Sequence, residues 1–432
     1  MERRALRPKG LATPPLPISP AIETGGWVFI SGQLASDYKT GIAADAVVHP
    51  DLPFHGSAVK LQARHIFRNI SALMEQAGSS VDNIVRIDQF TTDRGYIDGY
   101  LETRNEFITK DRPASTALQM EGLTVRDAVI EVDCIGIVPE KSFSKIALYT
   151  DKVAKPLAGY SVGIKAGPYV FGSGASPTDF KGAASYYGVA GTGLAPEARI
   201  DPNYWYGSPI KKQTAYDLHK LEAYLEAAGT SLKHCVKAQV YLSYMQDYFG
   251  FQEAWRDYFG ANPPATTVVP VKGMGIHESR VEINVVAIVP DQGAEIEVVK
   301  AKTIPAPLGH EPLAVRAGNL LFLSGIMAYE NGGPLRQAFS SAAFPHFGSS
   351  AKAQMRAILD RARTICEASE TTLANIARAQ IFYTDFRDLA PTMEVWADAF
   401  PRDPPACTLI QVHDKLPVPS CSIIVDLIAA VA

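Results

Sequence analysis

WVFISG at 27–32, YVFGSG at 169–174 and LLFLSG at 320–325 decide how this chain folds, because each opens the same longer paragraph of sequence. Each run is apolar, rich in strand-forming residues, and ends on Ser-Gly. Ser31 and Ser173 are 142 residues apart, and Ser173 and Ser324 are 151 apart. A long amphipathic stretch follows each run. A second strand-like run comes next: NIVRIDQFTTD from Asn83, HCVKAQVYLSY from His234 and NIARAQIFYTD from Asn375. Each copy closes with a Pro-Ala turn, at Pro113-Ala114, Pro264-Ala265 and Pro405-Ala406, and an apolar strand: VIEVDCIGIV, RVEINVVAIV or SIIVDLIAAV. A period this long is a domain, not the unit of a solenoid. The sequence therefore predicts three domains, over 1–140, 141–293 and 294–432, equivalent to a trimer fused into one chain.

Apolar residues recur every three to four positions in each amphipathic stretch, as in Val59, Ala63, Ile66, Phe67 and Ile70. Ser57, Ser208 and Ser349 stand at matching starts and read as helix N-caps. Gly78 and Gly229 stand at matching ends; Glu370 holds that place in the third copy, which predicts a different exit there. A second helix is predicted near 97–108, 249–259 and 389–400. The order strand pair, helix, strand, helix, strand is α+β, with helices on one sheet face. The uncovered faces need partners, so three sheets are expected to meet as a closed barrel around a pseudo-threefold axis. The proline-rich start, to about residue 20, reads as an extended arm.

Composition narrows the functional classes. With 432 residues and 47% apolar content, the chain can bury three ordinary cores. A net charge of −4 gives no footprint for nucleic acid or an anionic membrane. No apolar run reaches the length of a membrane span, and the first residues lack a signal peptide's apolar stretch. The five cysteines contain no CxxC pair and read as thiols in a cytoplasmic protein. The nine histidines show no metal-ligand spacing, and GSGAS and AGTGLAPEA match neither a P-loop nor a dinucleotide fingerprint. No metal or cofactor is expected. The partner expected is a small molecule, and the chain is a pseudo-trimeric monomer with room for further self-association.

SGQLASDYKTG, GYSVGIKAGPYVFGSG, EAAGTSLKHCVKAQVYLSYMQDY and the closing Pro-Ala and VEI strands resemble the RidA (YjgF) family of reactive-intermediate deaminases, once per repeat. The resemblance implies a domain similar to the barrel type of chorismate mutase, with small-molecule clefts between subunits. It implies hydrolysis of enamines and imines to a carbonyl compound and ammonia. In that family a glutamate of the last strand handles water, an arginine after the Pro-Ala turn grips a carboxylate, and a tyrosine contacts ligand. The glutamate falls on Glu131 and Glu282, but on Ile424 in the third copy. The tyrosine falls on Tyr160, with Ile18 and Glu311 at its counterparts. At the arginine position stand Ser115, Thr266 and Cys407, so no repeat keeps it.

Arg112, just before the first Pro-Ala turn, could supply a substitute cation, and Arg280 could pair with Glu282 or bind an anion. Asp133 and Asn284 lie two residues beyond the glutamates, on the same strand face. Cys407 could be a nucleophile only if a group such as His413 activates it. Tyr186 and the run Tyr204, Trp205 and Tyr206 could wall a cleft or pack against a neighbour. Expected is cofactor-independent hydrolysis of a C=N or C–N bond in a small metabolite, with Glu131 and Glu282 as catalytic residues. Two alternatives stay open: a non-catalytic small-molecule-binding protein, and another hydrolase on this scaffold, such as a ring-opening amidohydrolase, which requires a Ser–Lys pair in each repeat that the sequence does not show at matching positions. Ribonuclease activity, also attributed to the family, gains nothing from the acidic charge.

Overall fold

The computed structural model describes residues 2–141, 143–180, 193–201, 203, 206–290, 292–330, 333–341 and 343–431. In each repeat an edge strand precedes the hairpin that ends on Ser-Gly. The first sheet begins with Arg3–Leu6, Ala21–Thr24 and Trp27–Gln33. Its last strand, Ile130–Ile137, lies between Trp27–Gln33 and Ile84–Thr91, and Ala114–Gln119 adds in parallel beyond. The other repeats follow the same order. Helices α1 (Ala58–Gln76), α3 (Pro209–Glu226) and α5 (Ser350–Ala368) lie against the sheets. The shorter α2 (Ile97–Phe107), α4 (Tyr248–Phe259) and α6 (Leu389–Ala399) pack beside them.

One side chain per long helix ties it to the end of its sheet. Gln62, Gln213 and Gln354 accept the backbone N–H of Val129, Arg280 and Ser422 at 2.9, 2.7 and 2.9 Å. Each buried glutamine thus satisfies a donor just where the last strand begins.

Several local expectations need correction. The N-terminal arm is not free: Arg3–Leu6 pairs with Ala21–Thr24, as Lys145–Leu148 and Ile296–Val299 pair in the sister sheets. An edge strand in each join extends the sheet, which outweighs the flexibility of the proline-rich stretch. The third helix exit does not differ. Glu370 adopts φ +57°, close to Gly78 at +78° and Gly229 at +77°. The N–H of Thr371 reaches Cys366, as those of Ser79 and Thr230 reach Met74 and Leu225. A glutamate thus carries a backbone strain that its sisters avoid with glycine. Ser208 and Ser349 cap their helices, but the Ser57 side chain makes no capping bond.

The uncovered sheet faces turn toward one another. Two apolar clusters draw on all three repeats, one including Trp27, Phe171 and Phe322, the other Phe90, Tyr241 and Phe382. Charged and amide side chains are also buried between the repeats, from equivalent strand positions. Arg86 Nη2 donates to Gln239 Oε1 at 3.0 Å, Gln239 donates to Gln380, and Gln380 Nε2 donates to Asp133 at 2.8 Å. Arg378 Nη2 spans Asp133 at 2.9 and 3.0 Å and Asp88 at 3.2 Å, while Lys237 meets Asp426. The ring therefore returns to the first repeat, with three cations and three carboxylates in balance. Asp133 serves this network, with Thr408 donating to it, while Asn284 donates to Thr116 at 3.1 Å across the first and second repeats. The sheets have seven, six and seven strands and, among the described residues, do not merge into one closed barrel.

Candidate functional site

The Ser-Gly landmarks are the joints between repeats. Ser31, Ser173 and Ser324 each accept, through Oγ, the backbone N–H of the residue after a Pro-Ala turn of another repeat. Those donors are Cys407 at 2.7 Å, Ser115 at 3.0 Å and Thr266 at 3.0 Å. Each hydroxyl also donates to a carbonyl twelve residues earlier in its own repeat, at 2.6–2.7 Å. The following glycine N–H crosses the joint too, Gly174 to Ser115 O and Gly325 to Thr266 O at 3.0 Å, Gly32 to Thr408 Oγ1 at 3.1 Å. The third repeat thus meets the first, the first meets the second, and the second meets the third. Glycine is needed for closeness. A Cβ on Gly32 would stand 1.8 Å from Oε1 of Glu131, and one on Gly174 2.2 Å from Oε1 of Glu282.

At the junction of the first and second repeats a cavity of about 320 Å³ is lined by Gln89, Ser115, Tyr160, Ser176 and Glu282, among others. Ser115 and Gln89 come from the first repeat, and Tyr160, Ser176 and Glu282 from the second. Glu282 Oε2 accepts from Ser176 Oγ at 3.0 Å, and the Ala117 backbone N–H also faces the carboxylate. Burial pushes this carboxyl up to about 7, against the opposing pull of Ser176 and of the Lys220 ammonium. Such a group is poised to take and return a proton near neutrality.

At the junction of the third and first repeats, a cavity of about 360 Å³ holds Glu131, Cys407, Ile18, Tyr38 and Lys39. Glu131 faces the Leu409 backbone N–H, its Oε2 is buried with no hydrogen-bond partner among the described residues, and burial together with the Asp133 charge drives its carboxyl well up. Burial also raises the Cys407 thiol, and His413 turns away to Glu121 at the surface. His413 is thus not placed to activate Cys407.

The third junction brings Thr266 to Gly325, with Ile424 in the glutamate's place, its Cδ1 2.8 Å from where a Gly325 Cβ would stand. A carboxylate returns there at the tyrosine position. Glu311 Oε1 accepts the Gly309 N–H at 3.2 Å, Oε2 has no hydrogen-bond partner among the described residues, and burial lifts the group to about 7. Of the two arginines, Arg112 Nη1 donates to Gly159 O at 3.2 Å beside the second-repeat cavity, whereas Arg280 pairs with Asp247 at 2.9 Å. Tyr186, Tyr204 and Trp205 lie outside the described residues; Tyr206 is exposed.

A polar cluster behind Glu282 escapes a reading of apolar periodicity. The face of α3 carries Thr214, Asp217 and Tyr224 where α1 carries Ala63, Ile66 and Leu73, and α5 carries Met355, Ile358 and Ile365. Asp217 is fully buried, neither oxygen has a hydrogen-bond partner among the described residues, and burial drives its carboxyl well up. One turn on, Lys220 Nζ donates to the carbonyls of Ser176 and Thr178 at 2.8 and 3.0 Å, linking the cluster to the residue that holds Glu282. The signal lay in the repeat register: an aspartate stands where two sister positions hold isoleucine.

Among the described residues, no three His, Cys, Asp or Glu gather as metal ligands, and no helix is long and apolar enough to cross a membrane. The profile of the family described as Endoribonuclease L-PSP matches residues 12–138, 150–289 and 302–431. A RutC family protein of Pyrococcus horikoshii is 35% identical over 127 residues, 29% of this chain and 85% of the relative. Another from Saccharolobus solfataricus is 32% identical over 143 residues, 33% of this chain and 97% of the relative. A crystal structure of RidA from the Antarctic bacterium Psychrobacter sp. is similar at 29% identity and a TM-score of 0.24, over 28% of this chain and 87% of that one.

Proposed function

The chain belongs to the RidA (YjgF) family in three tandem copies, and from that premise we propose that it hydrolyses the C=N bond of a small imine or enamine. The work is assigned to the second-repeat cavity and, beside it, to the Glu131 cavity, without metal or organic cofactor. One observation carries the reading: Glu282, buried to a proton affinity near neutrality, faces a cavity of about 320 Å³ at a joint between repeats. Ionised Glu282 accepts a proton from water as the water oxygen bonds to the iminium carbon and the C=N π pair moves to nitrogen. Glu282 then returns the proton to nitrogen, the C–N bond breaks and ammonia leaves, and the carboxylate takes the remaining O–H proton as the carbonyl forms, to be passed on to ammonia or solvent. Tyr160 and Ser115 bound the substrate, with Arg112 at the rim; Cys407 and Thr266 hold the equivalent places elsewhere. Arg280, paired with Asp247, is left outside the cavity.

In this reading the sheets wrap a pseudo-threefold axis like a barrel, supported by the closed ring of buried side chains, with domains bounded near 140 and 293. The five unpaired buried cysteines accord with a cytoplasmic setting. The third junction, with Ile424, suits binding without turnover.

Ammonia release from imines generated in situ tests the proposal: the purified chain is expected to accelerate it, and no acceleration across a broad panel sinks the enzyme reading. Gly174→Ala is expected to cut the rate at least tenfold, because its Cβ takes the seat of the Glu282 carboxylate. Gly325→Ala, whose neighbour is the far end of the Ile424 side chain, is expected to leave the rate near wild type.

A further inference from the structure

The two glutamate cavities share a frame but not a wall. Where the Glu282 cavity shows Tyr160 and Ser176, the Glu131 cavity shows Ile18 and Leu34 at the equivalent places, 142 residues earlier. From the Pro-Ala strands, Ser115 and Ala117 line the Glu282 cavity, whereas Cys407 and Leu409 line the other. Three polar wall positions have thus become apolar or nearly so. One exchange runs the other way. Tyr38 lines the Glu131 cavity at the place where Phe180 lines the Glu282 cavity.

Both aromatic residues sit on a strained corner. Tyr38 and Phe180 adopt φ +52° and +57°, the left-handed region that a bulky side chain normally avoids. In each case the aromatic residue's N–H donates to the hydroxyl two residues earlier, Ser36 Oγ at 2.9 Å or Thr178 Oγ1 at 3.0 Å. Asp37 Oδ1 tightens the first corner by accepting the N–H groups of Lys39 and Thr40, each at 2.8 Å. The fold therefore holds the same unfavourable backbone twice, each time with an aromatic ring on a cavity wall, and the hydroxyl is what differs. Burial, and then the Glu131 charge, push the Tyr38 phenol above its ordinary range, which keeps it a hydrogen-bond donor beside Glu131.

We propose that the two cavities have parted in substrate, and that the Glu131 cavity takes an uncharged aliphatic imine, and the ketone it yields, with Tyr38 as the hydroxyl that holds the polar end. Ile18, Leu34 and Leu409 offer an alkyl group a dry wall. A carboxylate would gain no buried cation, since Lys39 is exposed, and would lie against Glu131. Thr124 also lines the cavity, while the Ser36 hydroxyl is committed to the Gly41 carbonyl at 2.6 Å. The inference rests on the hydrolysis proposed for this cavity and names its substrate class.

Binding of a ketone needs no turnover, which keeps this inference separable from hydrolysis. The full chain is titrated, with ligand-observed NMR, against isobutyl methyl ketone and separately against α-ketoisocaproate, in which a carboxylate replaces the ketone's methyl group. Saturable ketone binding is expected, weakened about fivefold in Tyr38→Phe, the usual worth of one hydrogen bond. Ile18→Tyr, which crowds the apolar end, is expected to weaken it at least as much. Each variant carries the residue that the second repeat holds at that place, so both are expected to fold, as a thermal melt checks. Ketone binding that is absent, or equal in wild type and Tyr38→Phe, overturns the assignment. Binding of α-ketoisocaproate that is tighter than that of the ketone and weakened by the same variants overturns the uncharged class. Ketone binding through Tyr38 in a chain that releases no ammonia from any imine supports the site and removes only the hydrolysis.

Discussion

Glu282→Gln is expected to lower ammonia release at the second-repeat cavity by two orders of magnitude or more while making the folded chain more stable at pH 8. The loss follows from removing the proton acceptor, an effect that typically spans about 10²–10⁴-fold. The gain follows from burial. In the unfolded chain this carboxyl titrates near 4.5, and in the folded chain near 7. Between those values the folded protein holds a proton that the unfolded chain has released. The group's contribution to stability is therefore full at low pH, declines as pH rises from 4.5, and is lost above 7. A shift of that size corresponds to about 3 kcal/mol, which glutamine no longer forfeits. Wild-type activity should run the other way, rising with pH through 7 as Glu282 ionises. Rates and thermal midpoints of both proteins from pH 5 to 9 check the pair of trends. A Glu282→Gln chain with wild-type rates removes Glu282 from the chemistry.

Arg378→Met is expected to be the most damaging single change to the fold, costing about 3–5 kcal/mol. The guanidinium binds both oxygens of Asp133 and one of Asp88, all nearly inaccessible to water, across the joint between the third and first repeats. Methionine fills much of the space but leaves those carboxylates without their cation. Urea denaturation followed by fluorescence measures the loss. Arg363→Ala, which breaks an exposed pair with Asp360, should barely move the midpoint. A small effect of Arg378→Met would mean that Arg86 and Gln380 satisfy the acids alone.

The repeated strands and helices were legible because apolar periodicity is a local property, written wherever a segment buries one face. Glu131 and Glu282 were legible for another reason: the family resemblance places a glutamate at that point of the last strand, and both repeats keep it. The destinations of Asp133 and Asn284 were not, since the partners Arg378 and Thr116 belong to other repeats and only the assembled sheets bring them near. Asp217 was hidden by a different habit. Counting apolar positions along α3 passes over the polar residue that interrupts them, and only superposing the three registers exposes it. Glu370 shows the reverse error: residue type suggested a new helix exit, but tertiary packing imposes the same left-handed turn on glutamate as on glycine.

The serine staples have a consequence for how this protein can change. Each repeat gives its Ser-Gly corner to one joint and its Pro-Ala strand to another, so no cleft belongs to a single copy. Excising one repeat would break two joints and orphan half of each, whereas opening the chain at a linker and joining its old ends would preserve all three. Selection on one pocket therefore acts on two non-adjacent stretches of the gene, and the heritable unit of specialisation is the seam between copies, not the copy itself.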